Sequence, residues 1–160
     1  MGLSLVCTHG TPVADMLANS PLLPLIIDYV HRDPSREVTV EDEEGILLAL
    51  QYPHRVSRIR LWIPSSNLRK MIMAMDGEFL MLEYLYIKPL TDDGETLILP
   101  KTFQAPHLRQ VMLSHVTYYP GMSHLPPPTP CIRSAERIGR GASSSEPQHP
   151  RYAPFYYICL

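Results

Sequence analysis

Cysteine is scarce and scattered in this chain. Cys7, Cys131 and Cys159 are odd in number and far apart, so no disulfide framework follows and a reducing compartment is expected. An excess of charge of one sign is also missing. A formal net charge of −2 provides no bulk attraction for nucleic acid or an anionic membrane, and neither is expected as a partner. No apolar run approaches the ~20 residues of a membrane helix, and stretches such as Ile46–Leu50 are core-sized. The N-terminus has no charged segment before its short apolar stretch, which speaks against a secretory signal. Val6 stands where the myristoylation pattern after Met1–Gly2 requires Ser or Thr, and Cys159 is second from the end, two residues too late for a prenylation box. Cytoplasm or nucleus is the expected location. A length of 160 residues suits one domain with a modest core.

Catalytic signatures are absent as well. The seven histidines do not pair at metal spacing. Cys7–Thr8–His9 comes nearest, but a lone C-x-H lacks two of the four ligands of a structural site. No phosphate-cradling glycine loop or nucleophile elbow occurs. The run Glu41–Asp42–Glu43–Glu44 has a simpler reading as the solvated first turn of a helix, where carboxylates meet the positive end of the dipole. Met71 and Met75 read as core filling, with Met73 on the opposite helical face. No catalytic residue, cofactor or metal ligand is assigned.

What is present is a repeat. Val56–Ser57–Arg58–Ile59–Arg60–Leu61, Leu82–Glu83–Tyr84–Leu85–Tyr86–Ile87 and Leu108–Arg109–Gln110–Val111–Met112–Leu113 follow L-x-x-L-x-L at a spacing of 26 residues. A motif of this form with a period of 20 to 29 residues is the signature of leucine-rich repeats. Leu22, Leu25 and Ile27 fit the same spacing, with Leu25 and Ile27 in the roles of Ile59 and Leu61. Strands are expected at 22–29, 56–63, 82–88 and 108–114. Thr39 is a good N-cap for a helix that stops before Pro53. Pro64 ends a strand, Ser65 or Ser66 caps the next helix, and Leu68, Ile72, Met75 and Phe79 lie on one face of it. Segment 31–38 reads as a polar loop and Thr91–Gly94 as a turn. Leu97–Leu99, between turn signals and Pro100, reads as extended or single-turn structure.

Side chains alternate across a strand. If the repeated apolar residues face inward, then Arg58, Arg60 and Trp62, Tyr84, Tyr86 and Lys88, and Gln110, Met112 and Ser114 face outward. Stacking sets them in columns: Arg58 with Tyr84 and Gln110, Arg60 with Tyr86 and Met112, Trp62 with Lys88 and Ser114. Trp, Tyr, Arg and Met are enriched at interfaces and their hot spots. The same residues also stabilise a sheet through cross-strand and cation–π contacts. The patch is therefore a candidate surface for a protein partner, with a self-stabilised exposed sheet as the competing reading. Basic residues interleaved with aromatics at Arg58–Trp62 resemble a stacking platform for single strands, but the domain lacks the net positive charge of such a reader.

From Pro120 onward apolar periodicity disappears. Residues 121–160 hold seven of the seventeen prolines and carry net charge +2, against −4 for residues 1–120. The expected organisation is an N-terminal extension at 1–20, a leucine-rich-repeat-like domain at 21–119 and a Pro/Ser-rich disordered tail at 120–160. The fold class is α/β, a short leucine-rich-repeat-like solenoid with parallel strands. Its expected activity is protein binding without catalysis. A truncated, non-functional fragment and a small enzyme with an unrecognised site are the alternatives.

Pro24–Leu25–Ile26–Ile27–Asp28–Tyr29, Glu41–Asp42–Glu43–Glu44–Gly45–Ile46, His54–Arg55–Val56–Ser57–Arg58–Ile59–Arg60–Leu61, Leu82–Glu83–Tyr84–Leu85 and Gln104–Ala105–Pro106–His107–Leu108–Arg109 together resemble the repeat region of F-box proteins from mushroom-forming fungi. The resemblance covers about residues 15–118. It implies the substrate-recognition part of a ubiquitin-ligase subunit, with the repeats gripping a target. The F-box, the helical segment that binds a Skp-type adaptor, has no counterpart in the residues before the first expected strand, so the resemblance leaves that adaptor without its docking segment.

Overall fold

A computed structural model describes residues 3–20, 22–30, 38–90, 96–117 and 155–159, with backbone alone for 117 and 155–159. Residues 31–37 of the expected loop, the turn at 91–94, and residues 120–154 and 160 of the expected tail lie outside the described residues.

In chain order the elements are β1 (Leu5–Cys7), α1 (Val13–Asn19), β2 (Leu25–Val30), α2 (Val40–Leu50), β3 (Val56–Ile63), α3 (Ser65–Ala74), β4 (Tyr84–Pro89), β5 (Leu97–Ile98), β6 (Gln110–Ser114), β7 (Val116–Thr117) and β8 (Phe155–Cys159). The main sheet has the order β1-β2-β3-β4-β6-β8. Its first five strands are parallel. β8 runs antiparallel to β6, so these five residues of the expected tail form a strand rather than disordered chain. β5 and β7 form a separate parallel pair. The result is a small α/β domain with a mostly parallel sheet and helices between its strands. Among the described residues no helix is long and apolar enough to cross a membrane.

The strand order rises without reversing. Parallel crossovers are right-handed in nearly every case, so moving always in one direction across a sheet sends each return segment to the same side. The burial pattern agrees. Leu25, Ile27, Tyr29, Val56, Ile59, Leu61, Ile63, Leu85, Ile87, Val111 and Leu113 are buried in one core with Ile46, Ala49 and Leu50 of α2 and Leu68, Met71 and Ile72 of α3. The alternate strand residues are half-buried or exposed. A buried Phe79–Phe103 contact, centroids 5.4 Å apart, extends the core past α3.

Local chemistry sets the boundaries. The Thr39 hydroxyl accepts a hydrogen bond from Asp42 N at 3.1 Å and starts α2 as expected. α3 begins differently. Pro64, with φ −54°, holds the cap position, and no side chain caps the helix. Ser65 is already its first residue and is buried, so neither serine takes the expected role; Leu68 N bonds to Pro64 O at 2.9 Å instead. Gly77 turns the chain after α3 with φ +105°, a conformation open to glycine at little steric cost.

Two expectations near the N-terminus are corrected. The residues expected as an N-terminal extension at 1–20 supply β1 and α1, whose Cys7, Val13 and Leu17 join the core. The earliest repeat is also shifted. Leu25 pairs with Val56, Ile27 with Ile59 and Tyr29 with Leu61, with an irregularity between Leu25 and Ile26. Two residues separate Val56 from Ile59 but only one separates Leu25 from Ile27, so Ser57 is bulged and has no register partner in β2, although its hydroxyl donates to Leu25 O at 3.1 Å. Leu22, expected to face inward, is 91 % exposed.

Ile59 is fully buried between neighbouring strands, whereas Met73 is 73 % exposed on the outer face of α3. Ile59→Ala is expected to lower unfolding free energy by about 2–5 kcal/mol, and Met73→Ala to change it by no more than about 0.5 kcal/mol. Urea denaturation of both variants measures the contrast.

Candidate functional site: the outward face of the sheet

β3 and β4 pair Arg58 with Tyr84, Arg60 with Tyr86 and Trp62 with Lys88. β4 and β6 pair Tyr84 with Gln110 and Tyr86 with Met112. Two of the expected columns are therefore complete, and the third is complete as far as Lys88. Ser114 does not continue it. The β4–β6 pairing ends at Ile87 and Leu113, Ser114 is buried, and its backbone faces Phe155 of β8. The next residue, His115, has φ +56°, a left-handed conformation that breaks strand alternation. The columns grow instead at the other end, where Ile26, Asp28 and Val30 of β2 lie opposite Arg58, Arg60 and Trp62.

Side chains on this face contact one another across strands. The Arg58 guanidinium lies 4.5 Å from the Tyr84 ring centroid, and the Lys88 ammonium lies 4.8 Å from that of Trp62. Exposed cation–π pairs contribute about 0.5–1 kcal/mol each. Arg60 Nη1 donates to Asp28 Oδ2 at 3.0 Å, with both side chains partly exposed, a pair worth about 0–1 kcal/mol. Trp62 differs: its indole N–H is buried and has no acceptor among the described residues. Such a donor costs about 1–3 kcal/mol.

Asp28 was missed by sequence reasoning. The signal existed, because an acid at an outward position of β2 should meet Arg60 of β3. It was hidden by the two-residue misregistration of the earliest repeat, which placed Asp28 one step beyond Leu61.

A second polar cluster lies on the helix side. Asp42 is buried and accepts from Gly10 N at 2.8 Å, and its Oδ2 is 3.1 Å from His9 Nδ1. The His9 and Tyr29 rings meet edge to face at 5.0 Å. The Tyr29 hydroxyl is buried without an acceptor among the described residues, in van der Waals range of where a side chain on Gly45 would begin. Burial pushes the Tyr29 phenol up, helped by the negative charge of Asp42 and, once its thiol ionises, by that of Cys7. Burial likewise raises the Cys7 thiol, with Arg55 opposing. Both groups are held neutral, the wrong state for a nucleophile. The cluster works as a clasp between the turn after β1 and the start of α2.

The acidic run is thus more than a solvated first turn. Glu43 accepts from Lys70 Nζ at 2.6 Å and from Asn67 Nδ2, which ties α2 to α3. Among the described residues no three His, Cys, Asp or Glu side chains are placed to hold a metal ion.

Compared with protein-family models, curated proteins and solved structures, the sequence gives no significant match in any of the three.

Burial works to raise the Asp42 pKa, but the Gly10 hydrogen bond, the bond and charge of His9 and the Thr39 hydroxyl outweigh it, and the value is lowered. A depressed folded-state pKa adds stability above the unfolded carboxylate value of about 3.9, and that stability is lost as pH falls toward the folded value. The urea midpoint of the wild type should therefore drop more steeply than that of Asp42→Asn between about pH 5 and about pH 2. Equal slopes in the two proteins are the contrary result.

Proposed function

We propose that this chain is a protein-binding module, a short leucine-rich-repeat-like solenoid that acts by binding and not by catalysis. The observation that carries this reading is the face of the mostly parallel sheet that no helix covers among the described residues, on which Arg58, Arg60, Trp62, Tyr84, Tyr86, Lys88, Gln110 and Met112 stand in registered columns. Parallel sheets are ordinarily covered on both faces. Here helices supply the cover on one side, and aromatic and cationic side chains line the other. Adjacent strands about 4.8 Å apart make these columns one patch.

The resemblance to the repeat region of fungal F-box proteins supports a more specific role, the substrate-recognition part of a ubiquitin-ligase subunit. In that role the outward face grips the target. The region that would dock a Skp-type adaptor is not assigned to any described element.

Trp62, Tyr84 and Tyr86 are the proposed anchors, and truncating a hot-spot aromatic costs about 2 kcal/mol or more of binding. A Trp62→Ala, Tyr84→Ala, Tyr86→Ala triple variant that keeps a cooperative melt is expected to lose partners that the wild type retains in affinity co-purification. An unchanged partner profile from the folded triple variant overturns the binding face. A Skp-type adaptor retained by both proteins supports the ligase role, and its absence from both removes that role while leaving the face to be judged by the remaining partners.

A further inference from the structure

The main sheet ends in two different ways. β1 pairs with β2 on one side and has no neighbour on the other among the described residues. Leu5 N donates to Pro24 O at 2.8 Å, toward β2. Backbone groups of successive strand residues point to opposite sides, so those of Val6 point off the open edge. Val6 is an exposed apolar residue, as is Leu3 just before β1. The end of a repeat array ordinarily carries a polar cap, and this end does not.

The far end is closed. Gln110 N donates to Glu83 O at 3.0 Å, toward β4, so the backbone groups of Val111 and Leu113 point away from β4. There they meet Ile158 and Tyr156 of β8. β8 pairs with no other strand and runs against the direction of β6. It closes the edge without continuing the parallel repeat.

The two edges match each other. Leu5 and Cys7 stand opposite Leu25 and Ile27, and Val111 and Leu113 stand opposite Leu85 and Ile87. If β1 of a second copy lay parallel to β6, with Leu5 opposite Val111 and Cys7 opposite Leu113, these inward apolar rows would run on from copy to copy. The hydrogen-bond phase agrees in the same register. Val111 N–H would meet Ser4 O, Val6 N–H would meet Val111 O, and Leu113 N–H would meet Val6 O, the slanted pattern of a parallel ladder. A slip of one residue breaks both the apolar rows and the bond phase.

We propose that β8 is a removable cap, and that the β6 edge it covers fits the β1 edge of a second copy of this chain. With β8 seated the chain is monomeric. With β8 displaced, copies add head to tail by strand pairing. The contact joins two unlike edges, so it does not close on itself and growth is open-ended. Three backbone bonds and a short apolar seam make a weak contact, with a Kd of about 0.01–1 mM. This surface is an edge of the sheet and does not depend on the outward face.

The test uses the full chain under reductant. Tyr156→Pro with Ile158→Pro removes both N–H groups that β8 directs at β6. In sedimentation at rising concentration the wild type is expected to stay monomeric. The double variant should reach a mean mass of at least about twice the monomer, without a plateau at the dimer. Val6→Pro removes the N–H that points off β1 and spares the ladder to β2. Added to the double variant, it should return the mass to the monomer. Mixed with wild type, that triple variant presents an open β6 edge to an open β1 edge and should form a one-to-one pair that grows no further. Thermal melts check each fold. Ile158→Pro alone carries the test where the double variant does not melt cooperatively, and Val6→Lys, a charge on the edge, stands in where proline at Val6 lowers the melt. A folded, uncapped variant that stays monomeric overturns the docking, and so does association that blocking Val6 leaves unchanged. Equal association of the wild type overturns the cap. Loss of cooperative folding in both β8 variants overturns it too, because β8 is then an integral strand and not a removable one.

Discussion

The parallel pairing of β3 on β4 is the constraint on which the rest depends. It aligns Ile59 with Leu85 and Leu61 with Ile87 inward, and Arg58 with Tyr84 and Trp62 with Lys88 outward. A slip of one residue would exchange the two sets and bring arginine and lysine into the core. Register is strongly specified for that reason, and the 26-residue spacing of the repeats carries it from β3 through β4 to β6. Because the strand order never reverses, the helical cover accumulates on one side, and among the described residues the opposite side is lined by the outward strand residues.

That division was largely legible in the sequence. Three copies of one motif in fixed phase specify strands, pairing direction and columns together, since parallel neighbours in a repeat must share a register. Legibility failed where the repeat was imperfect. Leu22, Leu25 and Ile27 match the spacing, but β2 lacks the bulged residue that Ser57 supplies to β3, and a pattern match cannot tell a bulge from an alternating step. β1 went unseen because a three-residue strand has too few positions to show alternation. The partial burial of the acidic run was also illegible: Asp42 and Glu43 find partners more than twenty residues away in sequence, and no local rule connects them.

Arg55 shows how such long-range contacts support the face without belonging to it. It is buried, and its guanidinium donates to the carbonyls of Ser20 and Leu23 at 2.7–3.0 Å. Those carbonyls precede β2, so a side chain at the start of β3 fixes where β2 begins. The Leu25 N–H bond to Arg55 O at 2.8 Å works in the same direction. Holding β2 in place brings Asp28 to Arg60, and that pair settles which of the two arginines is engaged and which stays exposed. Arg55 is therefore a structural residue with a consequence at the surface.

The two edges of the sheet are finished differently, and the difference bears on what the face can do. An unpaired parallel edge is a template for further strands. At β6 that template is occupied by β8, whose reversed direction cannot continue a parallel repeat. At β1, Val6 stands 45 % exposed beside Ile26. The columns are thus bounded beyond Gln110 and Met112, while on the β1 side they fade into short aliphatic residues without charge. Cationic and aromatic side chains lie between these limits, on β3 and β4, which pair over six residues, as do β2 and β3. A rigid position is what a patch of this kind requires, because a stacked cation contributes to recognition only if its orientation is already fixed when the partner arrives. The buried indole N–H of Trp62, which has no acceptor among the described residues, is the counterweight, because a buried donor without a partner costs stability. Its place beside Lys88 puts that cost on β3, whose register with β4 follows the repeat.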